Sequence, residues 1–150
     1  MKRTLFAATL LMAFPLPGAA LSAHVPETAG IVRNSAGAAT IERGGELLTA
    51  AVGTRLHPGD TLVTGPDGSL GVIFRDNSTL SLGPGSRLVL QEFLFSPADG
   101  KIGLLARLTR GTMAYLSGLI AKLSPESARF ETPVASIGIR GTRFAVRVDE

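Results

Sequence analysis

The sequence predicts an all-β domain: an antiparallel sandwich or jelly-roll, or a solenoid-like sheet, of about 10–12 short strands. At most one short helix is expected, near residues 117–123. Three observations carry this reading. Gly and Pro are frequent, 18 and 9 among 150 residues, which demands many turns. Apolar residues alternate with polar ones through the middle of the chain, the period of a half-buried strand. Turn-forming segments separate these runs about every nine residues, the spacing of a sandwich, barrel or solenoid.

The elements follow in order. Gly30 to Arg43 reads as two weak strands joined near Asn34–Gly37, and Gly44-Gly45 is a turn into a short strand over Glu46–Ala50. Leu62 to Thr64 is a strand that ends at Gly65-Pro66-Asp67-Gly68, where Pro presets φ and Gly accepts a positive one. Leu70, Val72 and Phe74 then share one face, as do Leu80 with Leu82 and Leu88 with Leu90. Arg75–Ser78, Gly83–Ser86 and Ser96–Gly100 are the turns between and after them. Gly103 to Leu116 alternates on either side of Arg110-Gly111 and is expected as two strands. Leu119 to Leu123 suits one helical turn, stopped before Pro125. Ala128 to Val148 is strand again, with Phe130 and Thr132 on one face and Phe144, Val146 and Val148 on another. Gly138 and Gly141 are expected to interrupt it.

The first residues are expected to lie outside this domain. Lys2 and Arg3 precede an apolar run from Leu5 to Phe14, followed by Pro15, Pro17, Gly18 and a small-residue stretch ending at Ala23. This is the pattern of a cleaved secretory signal peptide over residues 1–23, with a cut after Ala23 or Ala20. The run is too short to span a bilayer, and prolines break it. Residues 24–29 read as a flexible lead-in and 30–148 as the β domain. The expected location is the bacterial periplasm or the medium.

Composition then narrows the function. Hydrophobic residues make up 45% and charged residues 18%, which excludes a disordered chain. Zero Cys excludes disulfide scaffolds, thiol nucleophiles and a lipidated cysteine. The net charge of +3 belongs largely to the leader, whose removal leaves 13 Lys+Arg against 12 Asp+Glu. A near-neutral exported domain gives no electrostatic case for nucleic acid. No later segment is long and apolar enough to span a membrane.

Specific residues now suggest a family. Thr132-Pro133 leads an alternating apolar stretch through Gly138, then Gly141-Thr142, Phe144 and Val146. Upstream stand Leu56-His57-Pro58-Gly59-Asp60-Thr61-Leu62, Gly68-Ser69 and Asp76-Asn77-Ser78. In order and spacing these resemble the closing motif and opening hairpins of the FecR domain, over roughly Gly30 to Val148. The resemblance implies an all-β extracytoplasmic domain. In its founding members that domain sits beyond a sigma-factor-regulating segment and one membrane-spanning helix. There it passes the state of an outer-membrane siderophore transporter inward. This sequence shows neither of those segments, so a stand-alone secreted member is expected. The resemblance carries no catalytic residues.

Other residues offer chemistry, each with an ordinary alternative. His24 would head the mature chain, and an α-amine with imidazole chelates metals, but a free terminus explains it as well. His57 with Asp60 suits acid–base work, yet Pro58-Gly59-Asp60 is ordinary turn chemistry. Asp76-Asn77-Ser78 and Pro66-Asp67-Gly68 offer oxygen ligands without the acidic ladder of an EF-hand. Asp60 with Asp67 is a carboxylate pair with nothing in the sequence to set its separation. No enzyme activity, metal or cofactor is therefore expected.

Arg140, Arg143 and Arg147 are the one charge concentration near a motif. They read either as a patch for an acidic protein or anionic envelope polymer, or as charges that keep a terminal strand from edge pairing. The expected function is a non-enzymatic extracytoplasmic domain that binds a protein or envelope ligand, in signal sensing. A structural or carbohydrate-binding envelope module is the alternative.

Overall fold

The computed structural model describes residues 18–20, 27–139 and 141–149. Most of the expected signal peptide lies outside the described residues, as do His24 and Arg140. Ala29, at the end of the expected lead-in, is buried and donates its N–H to the Leu56 carbonyl at 2.7 Å.

The alternating runs form strands. These are β1 (Gly30–Ala36), β2 (Ala39–Arg43), β3 (Glu46–Thr49), β4 (Arg55–Leu56), β5 (Thr61–Thr64) and β6 (Ser69–Phe74). They continue with β7 (Thr79–Leu82), β8 (Arg87–Ser96), β9 (Lys101–Leu116), β10 (Ala128–Glu131), β11 (Ser136–Gly138) and β12 (Arg143–Val148). One short helix, α1 (Leu119–Leu123), stops before Pro125. The all-β expectation with a single short helix holds. The pairs are antiparallel apart from β10, which lies parallel to β9.

Hydrogen-bonded neighbours run in the order β3-β2-β5-β8-β9-β7-β6-β1-β4, and this sheet curls over a single core. β9 is where it turns over. Its first part lies between β8 and β10, and its last part between β7 and β12. A front half therefore holds β4, β1, β6, β7, the end of β9, and β12. A back half holds β3, β2, β5, β8, the start of β9, β10 and β11.

The two inner faces follow from the registers. On the back, Ile41, Leu62, Leu88 and Leu108 form one cross-strand row, each 0% exposed. On the front, Val32, Val72, Leu80, Tyr115 and Phe144 form another. Each fully buried aliphatic side chain here contributes roughly 1.5–3 kcal/mol of transfer free energy. Aromatic pairs bridge the halves. Phe74 stacks on Phe93 at 5.3 Å between centroids, and Tyr115 meets Phe130 at 4.8 Å.

Three expectations change. The strand expected over Arg87–Leu90 continues to Ser96, because a bulge between Leu90 and Glu92 shifts the alternation and turns Phe93 inward. The two strands expected over Gly103–Leu116 are one of 16 residues. Arg110-Gly111 is a bend within it, since Gly111 takes φ +88° and the strand keeps partners on both sides.

The third change concerns turns. Arg75–Ser78 does join a hairpin, β6 to β7. Gly65–Gly68 and Gly83–Ser86 do not, because the strands they join lie in opposite halves. They are corners, and they stack with Gly37-Ala38 and the β9 bend. Gly65 N–H donates to Ala38 O at 2.8 Å, Gly85 N–H to Gly65 O at 2.9 Å, and Gly83 N–H to Thr112 O at 3.0 Å. Turn residues dictate φ, not which strands pair.

Candidate functional site

β12 closes the front half. It pairs antiparallel with β9 from Arg143 opposite Leu116 to Val148 opposite Gly111. Successive side chains point to opposite faces. Phe144, Val146 and Val148 turn inward and are half-buried; Arg143, Ala145 and Arg147 turn outward and are exposed. Phe144 meets Tyr115 at 5.7 Å and Phe130 at 5.2 Å between centroids, which anchors the strand.

The outward residues of β12 extend a face built from distant parts of the chain. One row runs Arg55, Ile31, Ile73, Thr79, Leu116 and Arg143. The next runs Asn34, Gly71, Ser81, Ala114 and Ala145. A shallow groove crosses Ser81, Ala114 and Ala145 to reach Arg147. The strands of the front half carry four charged residues, Arg33, Arg55, Arg143 and Arg147, and no Asp or Glu. Arg147 meets Asp149, just past the strand, at 2.8 Å, with both side chains over 70% exposed. Such an exposed pair is weak and readily exchanged.

The back face differs. There Arg87 clasps Glu42 through two bonds of 3.0 and 2.7 Å, and Arg107 stands opposite Glu131. The Arg87 guanidinium holds the Glu42 carboxyl below its usual value. Charges of both signs alternate there, as on an ordinary solvated face.

The other sequence candidates serve the fold. Asp60 is 1% exposed and accepts from Arg43 Nε at 2.8 Å, Arg43 Nη2 at 2.7 Å and the His57 backbone N–H at 2.8 Å. Three of its roughly four acceptor sites are filled by the Arg43 guanidinium and the His57 backbone N–H, and none of these bonds comes from the His57 imidazole. Pro58 and Gly59 complete that turn, in which Gly59 N–H donates to Leu90 O at 2.7 Å. Asp67 lies exposed at a corner, away from such a clasp.

Asp76 is likewise committed. It is 0% exposed and accepts from the Ser78 hydroxyl at 2.5 Å, the Ser78 N–H at 3.1 Å and the Ile120 N–H at 3.2 Å. It thus caps the start of α1 from a turn 44 residues away. Among the described residues, no three His, Cys, Asp or Glu side chains come together as metal ligands.

The motif residues near the C-terminus shape the edge of the site. Thr132 Oγ1 accepts the Ala135 N–H at 3.0 Å and closes a hairpin tip that projects Pro133 and Val134 into solvent. Gly138 ends β11, and Gly141 and Thr142 lead into β12; the Thr142 carbonyl accepts the Ser117 N–H at 2.8 Å. A β-carbon on Gly68 would overlap the Ala38 carbonyl oxygen, so this glycine permits two corners to touch. Sequence reading found Arg143 and Arg147. It missed Arg33, Arg55 and the uncharged surface between them, because only the strand order brings these together.

A family model described as FecR protein matches residues 60–150, more than half of the chain. No curated protein and no solved structure matches it.

Proposed function

We propose that this chain, which belongs to the FecR protein family, is a non-enzymatic extracytoplasmic domain that binds an envelope protein with its front face during periplasmic signal sensing. The family supplies the signalling context. The observation that carries the binding reading is the charge asymmetry of the two faces. The front strands hold arginines alone around a surface of small and apolar residues, whereas the back strands mix both signs. A single-sign rim around an uncharged centre suits an acidic partner, whose approach it steers. The N-terminal pattern at Lys2, Arg3 and Leu5–Phe14 supports export.

Capture from envelope extract tests this. The wild-type chain should retain an acidic envelope protein, and Arg143→Glu with Arg147→Glu should lose it while melting at the same temperature. Retention on purified anionic wall polymer in place of any protein would reverse the choice of partner.

A further inference from the structure

β12 has a hydrogen-bonded neighbour on one side only among the described residues. The core is also open along that side. Phe144, Val146 and Val148 point inward yet remain half-buried, whereas Tyr115 and Met113, one strand further in, are 1–2% exposed. Between β12 and the hairpin of β10 and β11 runs a cleft of about 540 Å³, lined by Pro133, Val134, Ile137, Val146 and Val148. Val134 at its rim is 92% exposed. Sheet edges of this kind pair with other chains unless blunted. β12 has no Pro, and its pairing with β9 shows no bulge. The charged residues of β12 itself are Arg143 and Arg147, which repel a cationic strand and attract an acidic one. Asp149, which pairs with Arg147 and also lines the cleft, is exposed and gives way to an incoming carboxylate.

We propose that this cleft receives an extended segment of the partner protein as an added strand beside β12. The inference rests on the front-face reading above. Period-two geometry specifies the segment. Residues opposite Arg143 and Arg147 must be acidic and four apart, with a small or polar residue between them opposite Ala145. Residues opposite Phe144, Val146 and Val148 must be apolar, and they complete the open core. The outward order Arg-Ala-Arg reads the same in both directions, so the charge pattern fits a parallel or an antiparallel strand. Backbone bonds supply affinity and the alternate side chains supply selectivity, as in other strand additions.

The test uses the full chain and an eight-residue peptide. The peptide has glutamate at its second and sixth positions, valine at its first, third, fifth and seventh, and threonine at its fourth and eighth, so that either strand direction places valine opposite Phe144, Val146 and Val148. The peptide should bind and slow hydrogen exchange at least tenfold at the β12 amides that point away from β9. Arg143→Glu with Arg147→Glu should weaken binding at least tenfold, and a lysine-for-glutamate peptide should then bind that variant. Equal binding by a peptide N-methylated at its four central amides would overturn the proposal. So would protection confined to other strands, absence of binding, or concentration-dependent protection without peptide, which would make a second copy the occupant. An envelope protein captured through the front face but not displaced by a bound peptide would overturn the added strand alone, leaving the wider reading intact.

Discussion

The buried hydroxyl of Thr64 accepts the Ser86 backbone N–H at 2.9 Å and donates to the Gly83 carbonyl at 2.7 Å. Ser86 answers from the other side: its own hydroxyl donates to Gly83 O at 2.8 Å and accepts the Thr112 N–H at 3.0 Å. Two side chains, 2% and 0% exposed, therefore tie three places where the chain passes between the halves.

Thr64→Val should expose the value of this tie. It keeps the shape but leaves a buried N–H without its acceptor, which costs about 1–3 kcal/mol. Ser86→Ala should cost a similar amount, and the double variant less than their sum, because both belong to one network. Chemical denaturation of the three variants checks this; strict additivity would show that the two hydroxyls act separately.

Tyr115 is the sole tyrosine of the chain. Burial is the main force pushing its phenol up to about 12, with the Asp76 charge adding to it and Ser78 and Gly118 opposing. The hydroxyl nonetheless meets no partner at hydrogen-bond geometry among the described residues. A raised folded value means the neutral form is favoured. This contribution is whole below the unfolded value near 10 and is lost as pH rises from about 10 to 12. Ultraviolet titration should show one phenol transition about two units above that of the unfolded chain. Tyr115→Phe should abolish that transition and change stability at pH 7 by less than about 1 kcal/mol.

Much of this was legible in the sequence, for local reasons. Alternation placed Leu70, Val72, Phe74, Leu80 and Leu82 on the inner face, and the Gly-Pro tetrads marked where strands stop. Pairing was not legible, because Gly65–Gly68 has the same turn chemistry whether it joins a hairpin or a corner. The extension of β8 left a readable trace: two polar residues in succession, Gln91-Glu92, after which the apolar positions change parity to Phe93 and Phe95. The front face left one only at its β12 end, in Arg143 and Arg147. Arg33, Arg55, Arg143 and Arg147 become one surface only through the order of strands across a curled sheet.

Phe144→Ala should destabilise more than Arg143→Ala. Phe144 is half-buried, so about 1.5–3 kcal/mol is expected, below the ~3–5 of a fully enclosed phenylalanine. Arg143→Ala should stay within about 0.5 kcal/mol. Thermal melts of both check this, and equal midpoints would show that the strand faces the other way.

Gly111 and Gly141 both hold positive φ, +88° and +105°. They differ in surroundings. A β-carbon on Gly111 would overlap the backbone and side chain of Ser86, whereas one on Gly141 would meet open space. Gly141→Ala should therefore cost about 1–2 kcal/mol, the conformational penalty alone. Gly111→Ala should cost more and disturb the corner stack. Denaturation midpoints of the two variants rank them; the reverse order would remove the corner from the account.

The central claim is that partners meet the front face. A photo-crosslinking side chain placed at Ala145, in cells that make the protein, tests it against the same group placed at Arg107 on the back face. Crosslinks from Ala145 to an acidic envelope protein, with none from Arg107, are the expected result. Crosslinks from Arg107 and none from Ala145 would contradict it.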